Sequence, residues 1–123
     1  MSRIIVTGSR NWSKPERVYE TLEALVADKE NDVIVHGDCP TGADHFAFLW
    51  CTRNNVKQER YPADWKRFGK SAGPRRNEEM VLKGADVCVG FPILGGSNGT
   101  WDCMNRAKQA GITVINMGEE YGE

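Results

Sequence analysis

The stretch Ile4-Ile5-Val6-Thr7-Gly8-Ser9-Arg10 (IIVTGSR) decides the fold. Its β-branched run predicts a short buried strand, and Gly8 predicts a turn at the carboxyl end of that strand. Ser13 and Glu16 follow with the spacing of a capping box, and Pro15 between them favours a first helical turn. The chain therefore begins with a strand, a turn and a helix.

The same alternation continues along the chain. Further strands are predicted at Val33–Val35, Lys57–Tyr61, Val87–Val89 and Ile112–Ile115, and further helices after Thr41, after Pro74 and from Thr100 to Ala110. The third strand is polar, which places it at a sheet edge. The segment from Ala63 to Gly73 is predicted to be a long loop, and the acidic tail from Gly118 to Glu123 is predicted to be frayed.

Five short strands that alternate with four helices predict one α/β domain over residues 1–123, a Rossmann-like three-layer arrangement with about five parallel strands flanked by helices. Right-handed crossovers favour the strand order 3-2-1-4-5. In such sheets ligands bind beyond the carboxyl ends of the strands, where the strand order reverses. The loops at Gly8 and Gly95 are therefore expected to face each other across one crevice.

Composition and charge limit the function classes. The 16 basic and 17 acidic residues give a net charge of −1, so no overall field favours nucleic acid or membrane. No signal peptide and no apolar run of membrane-spanning length are recognisable, which predicts a cytoplasmic protein. The four cysteines form no CxxC pair and the two histidines lie apart, so no metal is predicted. No cofactor is predicted either.

The stretch Gly95-Gly96-Ser97-Asn98-Gly99-Thr100 predicts an anion site. Glycines let backbone N–H groups approach a ligand closely, and the following helix start adds unpaired N–H groups and partial positive charge. The hydroxyls of Ser97 and Thr100 can add donors. The structural alternative is a flexible turn in which Thr100 is an ordinary helix cap. The GxGxxG motif of dinucleotide-binding proteins is absent after the first strand, and a P-loop would need glycine where Asp64 stands.

Other candidates for ligand binding stand at the ends of the first two strands. They are Gly8, Ser9 and Arg10 after the first, and Gly37, Asp38, Thr41 and Asp44 after the second. The Asp38 carboxylate suits ribose hydroxyls. Asp44 falls in the first turn of the predicted helix, where a carboxylate also favours the helix dipole.

The segment Trp65–Arg76 contains five basic residues and no acid. It suits a lid over phosphate or base, a solvated loop, or a contact with single-stranded nucleic acid. Arg75 or Arg76, at a predicted helix start, can pair with phosphate oxygens in a bidentate manner. Trp12, Trp65 and Trp101 are the candidates for stacking on a base.

In this order, these motifs resemble the SLOG superfamily, and most closely its small YspA/YpsA-related branch. The segments that carry the resemblance are Val6–Arg10, His36–Asp38, Thr41–Asp44, Pro62–Trp65, Gly73–Asn77 and Ser97–Thr100. The resemblance implies a Rossmann-like fold that binds nucleotides or their derivatives at the glycine-rich loop. It adds Asn77 to the candidate binding residues, and it implies a homodimer.

Within this superfamily, LOG enzymes are phosphoribohydrolases that split a nucleoside monophosphate into base and ribose phosphate. They carry PGGxGTxxE with a catalytic glutamate; aligning Gly99-Thr100 puts Cys103 at the glutamate position and Asp102 one place earlier. Cleaving an N-glycosidic bond develops positive charge on the sugar, which a carboxylate stabilises. Asp102, Asp38 and Glu78 are therefore the catalytic candidates.

The function predicted first is binding of a nucleotide or nucleotide derivative, as a sensor or a sequestering module. The first alternative is an N-glycosidic bond hydrolase or ribosyl transferase that acts on such ligands. The second is a single-stranded nucleic-acid binder that uses the basic segment Lys66–Arg76.

Overall fold

Strands and helices alternate along residues 1–118, which are the residues described by the computed structural model. The strands are β1 (Arg3–Gly8), β2 (Val33–His36), β3 (Lys57–Arg60), β4 (Val87–Phe91) and β5 (Thr113–Asn116). The helices are α1 (Pro15–Leu25), α2 (Gly42–Asn54), α3 (Trp65–Phe68), α4 (Ala72–Leu82) and α5 (Asn98–Gln109), with a 3₁₀ turn at Gly69–Ser71. The tail predicted to be frayed lies, after Gly118, outside the described residues.

The five strands form one parallel sheet in the order β3-β2-β1-β4-β5, which confirms the predicted fold class and topology. Strand β1 is central: Ile4 pairs with Ile34 of β2 on one side and with Val87 of β4 on the other. The polar strand β3 lies at an edge, as its sequence predicts.

The sheet is covered on both faces because successive side chains of β1 point in opposite directions. Ile4 and Val6 pack in the cluster that contains Val18 and Leu22 of α1, whereas Ile5 packs with Met80 of α4. Helices α1 and α2 thus lie over one face, and α4 and α5 over the other. None of the helices in residues 1–118 is long and apolar enough to cross a membrane.

The prediction of a long loop from Ala63 to Gly73 is wrong, because most of this segment is helical. Asp64 caps α3, where its carboxylate accepts the backbone N–H of Arg67 at 3.2 Å. Helix α4 begins at Ala72, so Pro74 is its third residue. Proline is tolerated there because the first N–H groups of a helix have no partner within the helix.

The predicted capping box of α1 is also wrong. Pro15 is the first helical residue, as predicted, but Lys14 holds the cap position and no side chain caps the helix. The reason lies in Trp12, which is buried, packs its ring against Phe91 at 5.3 Å and donates its indole N–H to the Lys14 carbonyl. This anchored tryptophan leaves Ser13 exposed, and it cannot serve as the platform for a base that the sequence suggested.

Asp32, directly before β2, ties three chain segments together. Its carboxylate accepts the backbone N–H groups of Ser2 at 2.7 Å, Asp28 at 3.1 Å and Ala27 at 3.2 Å. These hydrogen bonds, that of Asp28 foremost, lower the pKa of the Asp32 carboxyl below its ordinary value. The ionised form of Asp32 therefore stabilises the folded state more than the protonated form does.

We expect Asp32→Asn to lower the free energy of unfolding at pH 7 by about 1–2 kcal/mol, because a neutral amide accepts these bonds less strongly. The folded pKa lies below the unfolded value, so the contribution of Asp32 is present above about pH 4 and is lost as pH falls through the folded pKa. Urea denaturation at pH 7, 5 and 3.5 measures the difference. Glu20→Gln, which changes an exposed carboxylate, is the control. A difference that does not shrink with acidification contradicts the prediction.

Candidate functional site

A cavity of about 620 Å³ opens at the carboxyl ends of β1, β2 and β4. Its lining includes Trp65, one of the three stacking candidates, and twelve of the seventeen residues proposed for ligand binding or catalysis: Gly8, Ser9, Arg10, Gly37, Asp44, Arg76, Asn77, Gly96, Ser97, Gly99, Thr100 and Asp102. The loop after β1 and the loop before α5 thus face one crevice, at the point where the strand order reverses.

Five proposed residues lie outside the cavity lining: Asp38, Thr41, Arg75, Glu78 and Gly95. The Asp38 carboxylate lies 3.7 Å from the guanidinium of Arg60. Glu78 is on the exposed face of α4, and Thr41 is exposed at the cap position of α2. Of the three catalytic candidates, only Asp102 therefore lies at the cavity.

The geometry distinguishes the two candidate arginines. Arg76 lines the cavity, whereas Arg75 is exposed, donates to the Ser71 hydroxyl at 3.1 Å and stacks over Phe68 at 4.3 Å. This outer face of α4 belongs to the basic segment Lys66–Arg76. Contact of that segment with single-stranded nucleic acid stays a prediction, as does the homodimer.

Asn11 and Cys39 line the cavity although the sequence did not single them out, whereas Lys70 and Asn98 line it from within two predicted segments, the basic segment Trp65–Arg76 and the anion turn Gly95–Thr100. Asn11 and Cys39 follow β1 and β2 within a few residues. Their position after the end of a strand could have indicated that they lie near the site. That position, however, is shared by every residue of the loop and does not show which side chains point into the cavity.

The turn before α5 presents backbone donors to the cavity. Gly95 and Gly96 have φ values of +64° and +101°, which glycine adopts readily. Within the described residues, no protein acceptor takes the backbone N–H groups of Asn98, Gly99 and Thr100. They stand at the positive end of a 12-residue helix, which attracts anions.

Ser97 does not offer a free hydroxyl donor in this turn. Its buried hydroxyl donates to the Ile93 carbonyl at 3.0 Å and accepts the Ile93 N–H at 2.8 Å. These two bonds hold the loop closed on itself. The donors that remain for a ligand are therefore the backbone N–H groups and the hydroxyl of Thr100, which also lines the cavity.

Two consecutive residues of α4 connect the walls of the cavity. Arg76 donates to the Gly37 carbonyl at 2.6 Å and to the side-chain oxygen of Asn77 at 2.9 Å. The Asn77 amide donates in turn to the Gly99 carbonyl at 3.1 Å and to Asp102 Oδ2 at 3.0 Å. This chain of hydrogen bonds fixes the end of β2 relative to the first turn of α5.

The floor beside Gly37 is acidic. Asp44 lines the cavity and is buried, and burial raises the pKa of its carboxyl, while the charge of Arg76 acts in the opposite direction. Its Oδ2 accepts the backbone N–H of Cys39 at 3.4 Å. Burial also raises the pKa of the Cys39 thiol, so this cysteine is a poor nucleophile.

The position that aligns with the LOG glutamate does not face the cavity. Cys103 is fully buried in the core, hydrogen-bonded to Cys88, and the bond with Cys103 raises the pKa of the Cys88 thiol. Asp102, one residue earlier, lines the cavity instead. Its Oδ2 accepts the guanidinium of Arg106 at 2.9 Å as well as the amide of Asn77.

Close contact between backbones holds the loop after β1 in place. Gly42, at the start of α2, has a φ of +77°, and a Cβ there would collide with the Ser9 carbonyl and the Arg10 backbone. The Ser9 carbonyl also accepts the Ala43 N–H at 3.3 Å. Only glycine allows helix and loop to approach this closely.

We expect Gly42→Ala to lower the free energy of unfolding by more than about 2 kcal/mol, because it combines a positive φ with a steric clash. Thermal and urea denaturation measure the loss. Gly99→Ala is the matched control, since a Cβ there meets no protein atom within 4 Å and its φ is not positive. Equal stability of the two variants would show that the contact at Gly42 does not matter.

The comparisons with known proteins fit this architecture. A family model described as "YspA, cpYpsA-related SLOG family" matches residues 2–68. The Gene 61 protein of Mycobacterium phage D29 is 45% identical over 126 residues, which cover 98% of this chain and 99% of the relative. That similarity therefore extends over α4 and α5. No solved structure matches the chain. From the family match and this relative, we conclude that the chain belongs to the YspA, cpYpsA-related SLOG family.

Proposed function

We propose that this protein binds a nucleotide or a nucleotide-derived ligand in the cavity, as a sensor or a sequestering module. The observation that carries the proposal is the start of α5, where the N–H groups of Asn98, Gly99 and Thr100 have no acceptor within residues 1–118 and border the cavity. Such donors at a helix N-terminus suit a phosphate group. Membership of a family in the SLOG superfamily supports a nucleotide-related ligand.

The dimensions and charges of the cavity support the same ligand class. A volume of about 620 Å³ falls in the range of small-molecule sites and accommodates a nucleoside monophosphate. Arg10 and Arg76 bring positive charge to a lining that also contains the carboxyl of Asp44. Cations suit a phosphate, and a carboxyl oxygen suits the hydroxyls of a sugar, so the lining offers partners to both halves of a ribose phosphate.

We expect Thr100→Val to weaken the binding of ribose 5-phosphate by about tenfold, because one hydroxyl donor to a charged group is lost. Valine has the shape of threonine, and the Thr100 side chain makes no hydrogen bond within residues 1–118. The free energy of unfolding should therefore stay unchanged. Isothermal titration calorimetry measures the dissociation constant, and thermal denaturation checks the fold.

The matched control is Thr21→Val in α1, which removes a hydroxyl that donates to the Arg17 carbonyl far from the cavity. It should leave ribose 5-phosphate binding unchanged. If Thr100→Val binds as tightly as the parent protein, or if the parent protein binds neither ribose 5-phosphate nor any nucleoside monophosphate, the proposal is wrong.

A second candidate function is hydrolysis of an N-glycosidic bond, and the position of Asp102 favours it. The carboxylate borders the cavity two residues after Thr100, and both of its protein hydrogen bonds fall on Oδ2. Its Oδ1 makes no hydrogen bond within the described part of the chain. In the reaction, water adds to the sugar carbon as the bond to the base breaks, and the base departs with a proton. Asp102 would activate the water or stabilise the positive charge on the sugar.

If the protein is a hydrolase, Asp102→Asn should reduce the release of free base from nucleoside monophosphates by about 100-fold or more. Chromatography of the reaction mixture measures base and ribose phosphate together. Asp38→Asn is the control, because Asp38 lies outside the cavity lining and asparagine tolerates its φ of +57°. Equal rates for the parent protein and Asp102→Asn would exclude this role for Asp102.

A further inference from the structure

Trp65 combines exposure with a place at the cavity. Within residues 1–118 it is one of the few large hydrophobic side chains that are exposed, with 46% of its surface accessible, and it lines the cavity. Helix α3, which Trp65 begins, buries none of its residues. An indole left accessible beside a cavity has the size and planarity to stack on an aromatic base.

The contacts of the indole fix where it lies. The guanidinium of Arg10 is 5.1 Å from the centre of the ring, a cation–π distance. Cη2 of the ring lies 3.4 Å from where a Cβ of Gly73 would stand, so the ring rests beside the start of α4. The loop after β1 and the first turn of α4 therefore both contact the ring, Arg10 on its face and Gly73 near its edge.

The hydrogen-bond donors of the Arg10 guanidinium have no acceptor within residues 1–118. Arg10 is exposed and makes no ion pair with the described residues either, so the ring of Trp65 is the partner that the structure shows. A guanidinium has five N–H donors and binds phosphate in a bidentate manner. A cation that now covers the indole is thus the natural partner for a phosphate that enters the same cavity.

We propose that Trp65 is the platform on which the base of the ligand stacks, and that Arg10 leaves the indole for the phosphate when the ligand binds. The inference rests on the proposed function and deepens it, since it makes the ligand one with an aromatic base and not a bare sugar phosphate. Stacking tolerates any base, because every base has a π face. The larger purines gain most, because they cover more of the ring.

The test compares two probes, ribose 5-phosphate and adenosine 5′-monophosphate, by calorimetric titration. Trp65→Leu should weaken the binding of adenosine 5′-monophosphate by about 10- to 100-fold and leave ribose 5-phosphate binding unchanged. Arg10→Leu should weaken both probes. Phe68→Leu is the matched control, because it removes an aromatic ring from the same short helix but outside the cavity lining.

Tryptophan fluorescence gives a second readout. Trp12 and Trp50 are buried and Trp101 packs against the core, so a base that stacks on Trp65 should change the emission of the parent protein but not that of Trp65→Leu. If Trp65→Leu weakens both probes equally, or neither, the platform is disproved. If Arg10→Leu weakens the binding of neither probe, the proposed movement of Arg10 from the indole to the phosphate is disproved. Loss of this inference alone leaves ribose 5-phosphate bound by the parent protein, whereas a parent protein that binds neither ribose 5-phosphate nor any nucleoside monophosphate refutes the proposed function as well.

Discussion

The handedness of the connections between parallel strands is the constraint on which the site depends. The chain moves outward from β1 through β2 to β3 and then returns across β1 to β4 and β5. Because crossovers between parallel strands are almost always right-handed, a chain that reverses direction at β1 places its first two long helices on one face of the sheet and its last two on the other, which is the packing observed. The loops after β1 and before α5 therefore diverge, and the gap between them is the cavity.

A gap between diverging loops needs a connection if it is to bind a ligand in one geometry. Arg76 and Asn77 supply it, because they are adjacent on α4 and reach in two directions, to the Gly37 carbonyl and to the Gly99 carbonyl. Their charge and amide groups are largely engaged with protein atoms. In the proposed binding function, they would mainly fix the position of the donors at the start of α5. A preorganised anion site loses less entropy when its ligand arrives.

The local sequence pattern was sufficient to predict the sheet and its topology. It was not sufficient to predict which way the side chains in the loops point. β-Branched runs before glycine turns identify β1, β2 and β4 without any knowledge of tertiary packing. The short helix α3 was missed because four residues carry no periodic pattern and its Asp64 cap looks like an ordinary loop residue. Whether Arg75 or Arg76 faces the cavity depends on the direction in which each side chain leaves the helix. That direction is known only once α4 is known to begin at Ala72. The sequence predicts Asp38 as a binding and catalytic residue, but its side chain turns towards Arg60 and lies outside the cavity lining.

The direction in which side chains leave helix α5 also explains why a carboxylate lies at the cavity, although Cys103 occupies the position that aligns with the LOG glutamate. Neighbouring residues of a helix differ by about 100° in direction, so a core-facing residue and a cavity-facing residue can be adjacent. Cys103 faces the core beside Cys88, and Asp102 therefore faces the cavity. Binding and hydrolysis would use the same amides at the start of α5, because both need the phosphate fixed. Hydrolysis would in addition need Asp102 close enough to the sugar carbon that bears the base to activate water or stabilise the positive charge there.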